Sequence, residues 1–217
     1  MTDFAARRIM MVDTQVRPSD VTKFPIIEAM LAIPRENFVP AAMVEAAYVG
    51  ETLEIAPGRV LLEPRTLTKM LDALDLRANE LVLDLGAGLG YSSAVMAQLA
   101  EAVIAVEPIE ALAEDAEAAL ESAGASNVVV EQLPLTEGAP RHGPYDVIAV
   151  QGGIELFPEA LTDQLKEGGL MIVPVGASGG RGEQKLVRIE RTAEGVKREE
   201  LLPVRFVPLV EGVAKES

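Results

Sequence analysis

The sequence predicts an α/β fold: a doubly wound, mostly parallel sheet with helices on both faces and a helical and loop extension before it. Three observations predict it. Short aliphatic runs alternate with helix-length stretches from Arg65 to Val175, the pattern of βαβ units. A glycine-rich turn, Asp84-Leu-Gly-Ala-Gly-Leu-Gly-Tyr91, falls where one such run ends and a helix-compatible stretch begins. An acid, Glu107, closes the next aliphatic run. Strands joined by helices place ligands outside the strand carboxyl ends.

The chain reads as one domain, 1–217, in three segments. In the first, residues 1–64, Phe4 to Val16 and Asp20 to Ala32 carry helical apolar spacing, with Pro18 between them and Ser19 or Asp20 as the cap. Pro34, Pro40, Pro57 and Pro64 then mark loop. In the second, residues 65–175, a helix at Thr66–Leu74 leads to a strand at Glu80–Leu85 and a helix at Tyr91–Leu99. A strand at Ala102–Glu107 and a helix at Ile109–Ser122 follow. Strands at Asn127–Glu131 and Tyr145–Val150, a helix at Pro158–Leu165 and a strand at Leu170–Pro174 complete it. In the third, residues 176–217, Gly176 to Gly182 is a glycine-rich hairpin loop. Gln184–Arg191 is a strand, Glu194-Gly195 a turn, and Leu201–Leu209 extended chain.

Composition removes several function classes. With 217 residues and 49% hydrophobic content the chain can bury a sizeable core. There is no Cys and a single His, His142, so thiolate and multi-histidine metal sites are excluded and no metal is expected. A net charge of -15 repels nucleic-acid backbones and anionic membranes, although acidity also serves solubility alone. Met1 to Arg17 lacks the basic-then-apolar order of a signal peptide, and no uncharged apolar run reaches spanning length. The expectation is a soluble cytoplasmic protein.

Gly86, Gly88 and Gly90 permit a tight turn and close backbone approach to a ligand. Their spacing is G-x-G-x-G, not the G-x-G-x-x-G of dinucleotide enzymes. An acid before the turn suits S-adenosylmethionine, which has no phosphate and whose ammonium group Asp84 could attract directly or through water. Glu107 could accept from both ribose hydroxyls. The bland alternative is a structural turn.

Sequences outside this turn resemble the protein-L-isoaspartate O-methyltransferase family over nearly the whole chain. The stretches are Met11-Val-Asp-Thr-Gln-Val-Arg-Pro18, Ile33-Pro-Arg-Glu-Asn-Phe-Val-Pro40 with Ala47-Tyr48, Leu165 to Gly176, and Pro203-Val-Arg-Phe-Val-Pro-Leu209. The resemblance implies a Rossmann-like class I methyltransferase fold. It also implies a cytosolic repair enzyme that moves a methyl group from S-adenosylmethionine to the carboxylate of an L-isoaspartyl residue in damaged protein. Asp84, Gly86, Ala87, Gly88, Gly90 and Tyr91 would then hold the cofactor together with Glu107 and Pro108. Val204, Arg205 and Phe206 would shape the peptide cleft.

The chain departs from the family pattern in two places. The family's active-site loop reads G-x-G-Q-T-I-S-Q-P. Anchored on Pro64, this chain reads Ala56-Pro-Gly-Arg-Val-Leu-Leu-Glu-Pro64, so Val60 and Leu62 stand at the hydroxyl positions and Arg59 and Glu63 at the glutamines. The catalytic assignment is open. The family's acid just upstream falls at Gly50, and the Asp-Gly pair after its third strand falls at Pro134 and Leu135. Arg59 could clamp a substrate carboxylate or be a solvated loop residue. Glu51, Glu54 and Glu63 could repel that carboxylate, or Glu63 could pair with Arg59 or Arg65. Gln151 follows a strand at the expected ligand edge. His142 reads as an exposed loop histidine, Asp146 as a surface or turn acid, and Met10 and Met11 as helix packing. Three functions stay open: an isoaspartyl methyltransferase, a methyltransferase with another acceptor, and a cofactor-binding protein without catalysis.

Overall fold

The computed structural model describes residues 3–154, 159–176 and 184–204 of the chain. Helix α1 (Phe4–Met11) is capped by Asp3, whose Oδ1 accepts from the Ala6 amide at 3.0 Å. It is shorter than its apolar spacing suggests. The turn widens to a π-type winding over Val12–Val16 and tightens to 3₁₀ over Arg17–Ser19. Pro18 has no amide hydrogen and its ring crowds the carbonyl a turn back, so regular α bonding cannot run through it.

Helix α2 (Phe24–Ala32) starts at Phe24 rather than Asp20. Asp20 is left-handed at φ 59°, and Pro25 suits the first turn of a helix. Ser19 caps nothing; its hydroxyl donates to the Gln15 carbonyl at 2.6 Å.

The segment read as loop contains a hairpin, β1 (Leu53–Ala56) and β2 (Arg59–Leu61), turned at Pro57-Gly58 with Gly58 at φ 69°. It forms its own two-stranded sheet. The proline–glycine pair between apolar residues was the available signal. Helix α3 (Pro64–Leu74) opens on a proline and buries Leu67, Met70, Leu71 and Leu74, one stripe at helical spacing.

The βαβ segment follows as expected, with boundaries trimmed. It comprises β3 (Leu81–Leu85), α4 (Tyr91–Ala97), β4 (Ala102–Val106), α5 (Glu110–Ser122), β5 (Val128–Glu131) and β6 (Tyr145–Val150). After it come α6 (Glu159–Thr162), β7 (Leu165–Val175), β8 (Gln184–Thr192) and β9 (Gly195–Val204). The sheet order is β5-β4-β3-β6-β7-β8-β9, parallel through β7 and antiparallel beyond. Chain order reverses between β3 and β6, so a crevice opens at their carboxyl ends. Alternate residues feed two cores. Val82, Val103 and Val147 face the helical extension, while Leu83, Ile104 and Ile148 face the other layer.

Two boundaries differ for physical reasons. β7 begins at Leu165, which pairs with Tyr145, and Gly168 at φ 79° absorbs the register shift that was read as a helix end. β9 begins at Gly195 because its charged run pairs across the hairpin, Lys185 with Glu200 and Arg188 with Glu199. Residues 177–183, with most of the glycine-rich loop, and the chain after Val204 lie outside the described residues.

Two buried polar clusters position the crevice. Arg35 has no exposed surface; its Nε donates to the Ala47 carbonyl and its Nη2 to the Leu62 carbonyl, both at 2.6 Å. Its guanidinium lies 4.9 Å from the Tyr91 ring centre. Extension, hairpin exit and α4 are thereby tied at one point. Asp84 on β3, also fully buried, accepts from the Ser92 and Ser93 hydroxyls at 2.6 Å and from the Gln151 amide at 2.7 Å. Burial raises its pKa despite these three donors.

Arg35→Ala leaves two buried carbonyls without donors, at a cost of about 3 kcal/mol or more. The expected fall in melting temperature is roughly 6–12 °C, read by calorimetry; a shift under 2 °C on this scale of about 2–4 °C per kcal/mol would contradict the role. Asp84→Asn gives a pH test. A carboxyl whose folded pKa is raised contributes stability below its unfolded pKa of about 3.9 and loses it as pH rises through the folded value. The stability difference, variant minus wild type, should therefore grow with pH across the acid range. Urea melts that show it flat or falling would refute this.

Candidate active site

The glycine turn leaves β3 at Leu85. Gly86, Gly88 and Gly90 take φ of 77°, 57° and 89°, a left-handed series that other residues rarely adopt. The Gly86 and Ala87 amides donate to the Val106 carbonyl at 3.0 and 3.3 Å, which fastens the turn to the end of β4. Gly90 then caps α4. Its missing side chain matters twice, since a Cβ there would also meet Leu120 at 3.2 Å.

Glu107 follows β4 and is wholly buried. Its Oε2 accepts from the Gly88 amide at 3.0 Å and its Oε1 from the Ile109 amide at 3.1 Å. Arg59, at the start of β2, supplies the counter-charge: its Nε lies 2.9 and 2.7 Å from the two oxygens. Arg59 is 1% exposed, and its Nη1 donates to the Gly58 carbonyl at 2.8 Å. The solvated-loop reading of Arg59 is therefore corrected: the side chain is buried because it pairs with the acid expected to hold ribose, an arrangement the sequence did not signal.

The hairpin also covers the turn with apolar side chains. Ile55 Cδ1 lies 2.8 Å from where a Gly88 Cβ would stand. Val60, Leu61 and Leu62 are buried, and with Ile55, Ala87, Leu89, Ser92 and Gln151 they line a cavity of about 10 Å³. That is room for about one water. Glu63 pairs with neither arginine among its described bonds; its Oε1 accepts from the Thr66 hydroxyl at 2.6 Å, in the first turn of α3. Glu51 and Glu54 are exposed, where solvent screens them.

The structure therefore brings Asp84, the glycine turn, Glu107, Arg59 and Gln151 to one sheet edge. Gln151 lies there because its amide donates to the Leu85 carbonyl at 2.9 Å while its side chain reaches Asp84. Tyr91 lines the same small cavity as Ala87 and Leu89; its hydroxyl donates towards Met30 Sδ at 3.7 Å, and its ring meets Phe38 edge-on at 5.7 Å. Pro108 is half-buried, and its carbonyl accepts from Gln132. Leu135 is buried. Val204 ends β9; Arg205 and Phe206 lie outside the described residues.

His142 is only partly exposed, with Nε2 2.6 Å from Glu131 Oε1 at the end of β5. Asp146 proves to be a sheet clasp, accepting from the Leu81 amide at 2.8 Å and from Lys166. Of Met10 and Met11, Met11 is core and Met10 is exposed. Sequence reasoning passed over Ser92, Ser93 and Ile55. Two adjacent hydroxyls opening the helix after an acid-led turn were a signal for the serines; Ile55 had none, because its place depends on the hairpin. Among the described residues there is no cluster of three or more metal-binding side chains, and no helix long and apolar enough to cross a membrane.

Comparison with known proteins assigns the lineage. The family model for protein-L-isoaspartate(D-aspartate) O-methyltransferase matches residues 9–214. A protein-L-isoaspartate O-methyltransferase of Parvibaculum lavamentivorans is 47% identical over 192 residues, covering 88% of this chain and 86% of that one. A solved protein-L-isoaspartate O-methyltransferase superposes with a TM-score of 0.85 at 26% identity, over 95% of this chain and 67% of the other. A Plasmodium falciparum structure described as a putative member, in complex with S-adenosyl-L-homocysteine, shares the fold at a TM-score of 0.80 and 20% identity, over 98% of this chain and 100% of that one. The chain belongs to the protein-L-isoaspartate(D-aspartate) O-methyltransferase family.

Proposed function

We propose that this protein transfers a methyl group from S-adenosylmethionine to the abnormal carboxylate of L-isoaspartyl residues in damaged proteins or peptides. Residues 1–217 act as one methyltransferase unit in the cytoplasm. The observation that carries this reading is the coincidence of the family match over residues 9–214 with a glycine turn and a buried two-oxygen acceptor at the sheet's switch point. Relatives that share both the name and high identity support the isoaspartyl acceptor over another acceptor or a non-catalytic role. Nucleic acid, membrane and metal have no part in the proposal; the net charge of -15 disfavours the first two.

The residues present fit such a cofactor. Glu107 offers two oxygens on one carboxylate, the geometry a ribose diol needs, and the turn of Gly86, Ala87, Gly88 and Gly90 lets backbone approach closely. Asp84 is fully buried and already accepts from Ser92, Ser93 and Gln151, so its pull on an ammonium group acts through Gln151 or Ser92, both of which line the small cavity. When bound, the cofactor supplies a methyl carbon already activated by sulfonium. The acceptor carboxylate, with a pKa near ~4, needs no general base at neutral pH. What remains for the protein is alignment and removal of water.

Val60, Leu61 and Leu62 provide an apolar wall for that purpose, and Arg35 holds the wall through the Leu62 carbonyl. Arg59, once turned from Glu107, is the candidate grip for an acceptor carboxylate. Val204, Arg205 and Phe206 remain candidates for the peptide cleft, and Pro108 and Tyr91 for the margin of the cofactor site.

In an Arg59→Gln background, where no buried arginine is left unpaired, Glu107→Ala should weaken S-adenosylhomocysteine binding roughly tenfold or more, the loss of charged hydrogen bonds being worth about 1.5–3 kcal/mol. Calorimetry giving unchanged affinity would remove Glu107 from the site. Turnover on a standard isoaspartyl peptide should be low, because the loop lacks hydroxyls. Val60→Thr with Leu62→Ser should raise it, by up to roughly a hundredfold if a hydroxyl polarises the acceptor. Initial methyl-transfer rates that stay level in a folded double variant would show that the apolar loop is not the limitation.

A further inference from the structure

We propose that Arg59 is a latch: it occupies the ribose acceptor Glu107 and holds the β1–β2 hairpin over the glycine turn, so that cofactor entry and hairpin opening are one coupled event. The proposal rests on the cofactor reading of Glu107 given above.

Four observations lead to it. Both Glu107 oxygens already face the Arg59 Nε at 2.9 and 2.7 Å, and each also accepts from a backbone amide. A diol arriving at that carboxylate must displace the guanidinium. Ile55, on the same hairpin, stands where a side chain on Gly88 would be, at 2.8 Å. The cavity that Ile55, Val60, Leu61 and Leu62 line with Ala87 and Gln151 under the hairpin is about 10 Å³, room for about one water. Finally, among the described residues β1 and β2 pair only with each other and belong to no larger sheet. A lone two-stranded hairpin is marginal by itself, so it can lift as a unit when its anchor is exchanged.

The energetics favour an exchange over a permanent lock. A buried ion pair gains little over separated, solvated partners, but removing one partner strands the other. Ribose hydroxyls can replace the guanidinium at Glu107 while water solvates Arg59, so neither charge is left bare. The family pattern has glutamine where this chain has Arg59, a residue that cannot form the ion pair.

A protein whose competent state is populated one part in ten or less binds that much more weakly than its intrinsic site. Arg59→Gln should therefore tighten S-adenosylhomocysteine binding roughly tenfold or more by calorimetry. In the Glu107→Ala background the same substitution should change affinity by less than about twofold, since the latch has no partner there. Hydrogen exchange gives an independent reading: adding S-adenosylhomocysteine to the wild-type protein should speed exchange of the hairpin amides, residues 53–61, and slow exchange at residues 86–90. Equal or weaker binding by a folded Arg59→Gln variant overturns the latch, as does tightening of the same size without Glu107. So does hairpin protection that is unchanged or increased on binding. These results would leave the cofactor site standing; a Glu107→Ala, Arg59→Gln double variant that binds S-adenosylhomocysteine as tightly as Arg59→Gln alone would remove the site itself, and the latch with it.

Discussion

The site depends on one buried carboxylate. Glu107 collects the Gly88 amide, the Ile109 amide and the Arg59 guanidinium, and so joins the glycine turn, the entry to α5 and the β1–β2 hairpin at a single charge. A charge with no solvent contact must be matched. The two amides come from the turn and strand end that any such sheet provides. The cation comes from a segment far away in sequence, and it brings the hairpin with it. The shape of the crevice follows from how that one charge is neutralised.

Asp84 solves the same problem differently. It lies one strand over, equally buried, and takes three neutral donors instead of a cation. Burial therefore wins and its pKa rises. The two serines sit on the first turn of α4, so the bonds fix the corner from strand to helix that the three glycines make passable. Gln151 closes the network from β6, the strand on the far side of the switch point. The two acids thus brace opposite sides of one turn, one rigidly and one through an exchangeable partner.

Arg35 gives the extension its place in this arrangement. It serves two carbonyls and a tyrosine ring rather than an acid. Burial pushes its pKa down, though an arginine keeps its proton across the range in which proteins fold. The apolar Val60-Leu61-Leu62 run is thereby pinned at its end, while Arg59 ties the start of β2 to Glu107. A segment fixed at one end and held by an exchangeable contact at the other is suited to opening without unfolding.

The sequence alone determined the doubly wound, mostly parallel sheet, the glycine turn and the two acids. Each of these is written in short-range pattern: aliphatic runs of strand length, glycines where φ must be positive, acids at run ends. It also carried the family, through stretches outside the turn. Tertiary structure decided what those acids touch. Arg59 and Glu107 are 48 residues apart, and no local pattern signals a pair formed by folding one segment across another. The hairpin was missed for a related reason: its strands are short, and Ile55 and Val60 pack inward only because the turn is there to be covered. The ends of α1, α2 and β7 moved because backbone bonding around Pro18, Pro25 and Gly168 outweighed side-chain periodicity, a contest that apolar spacing does not record.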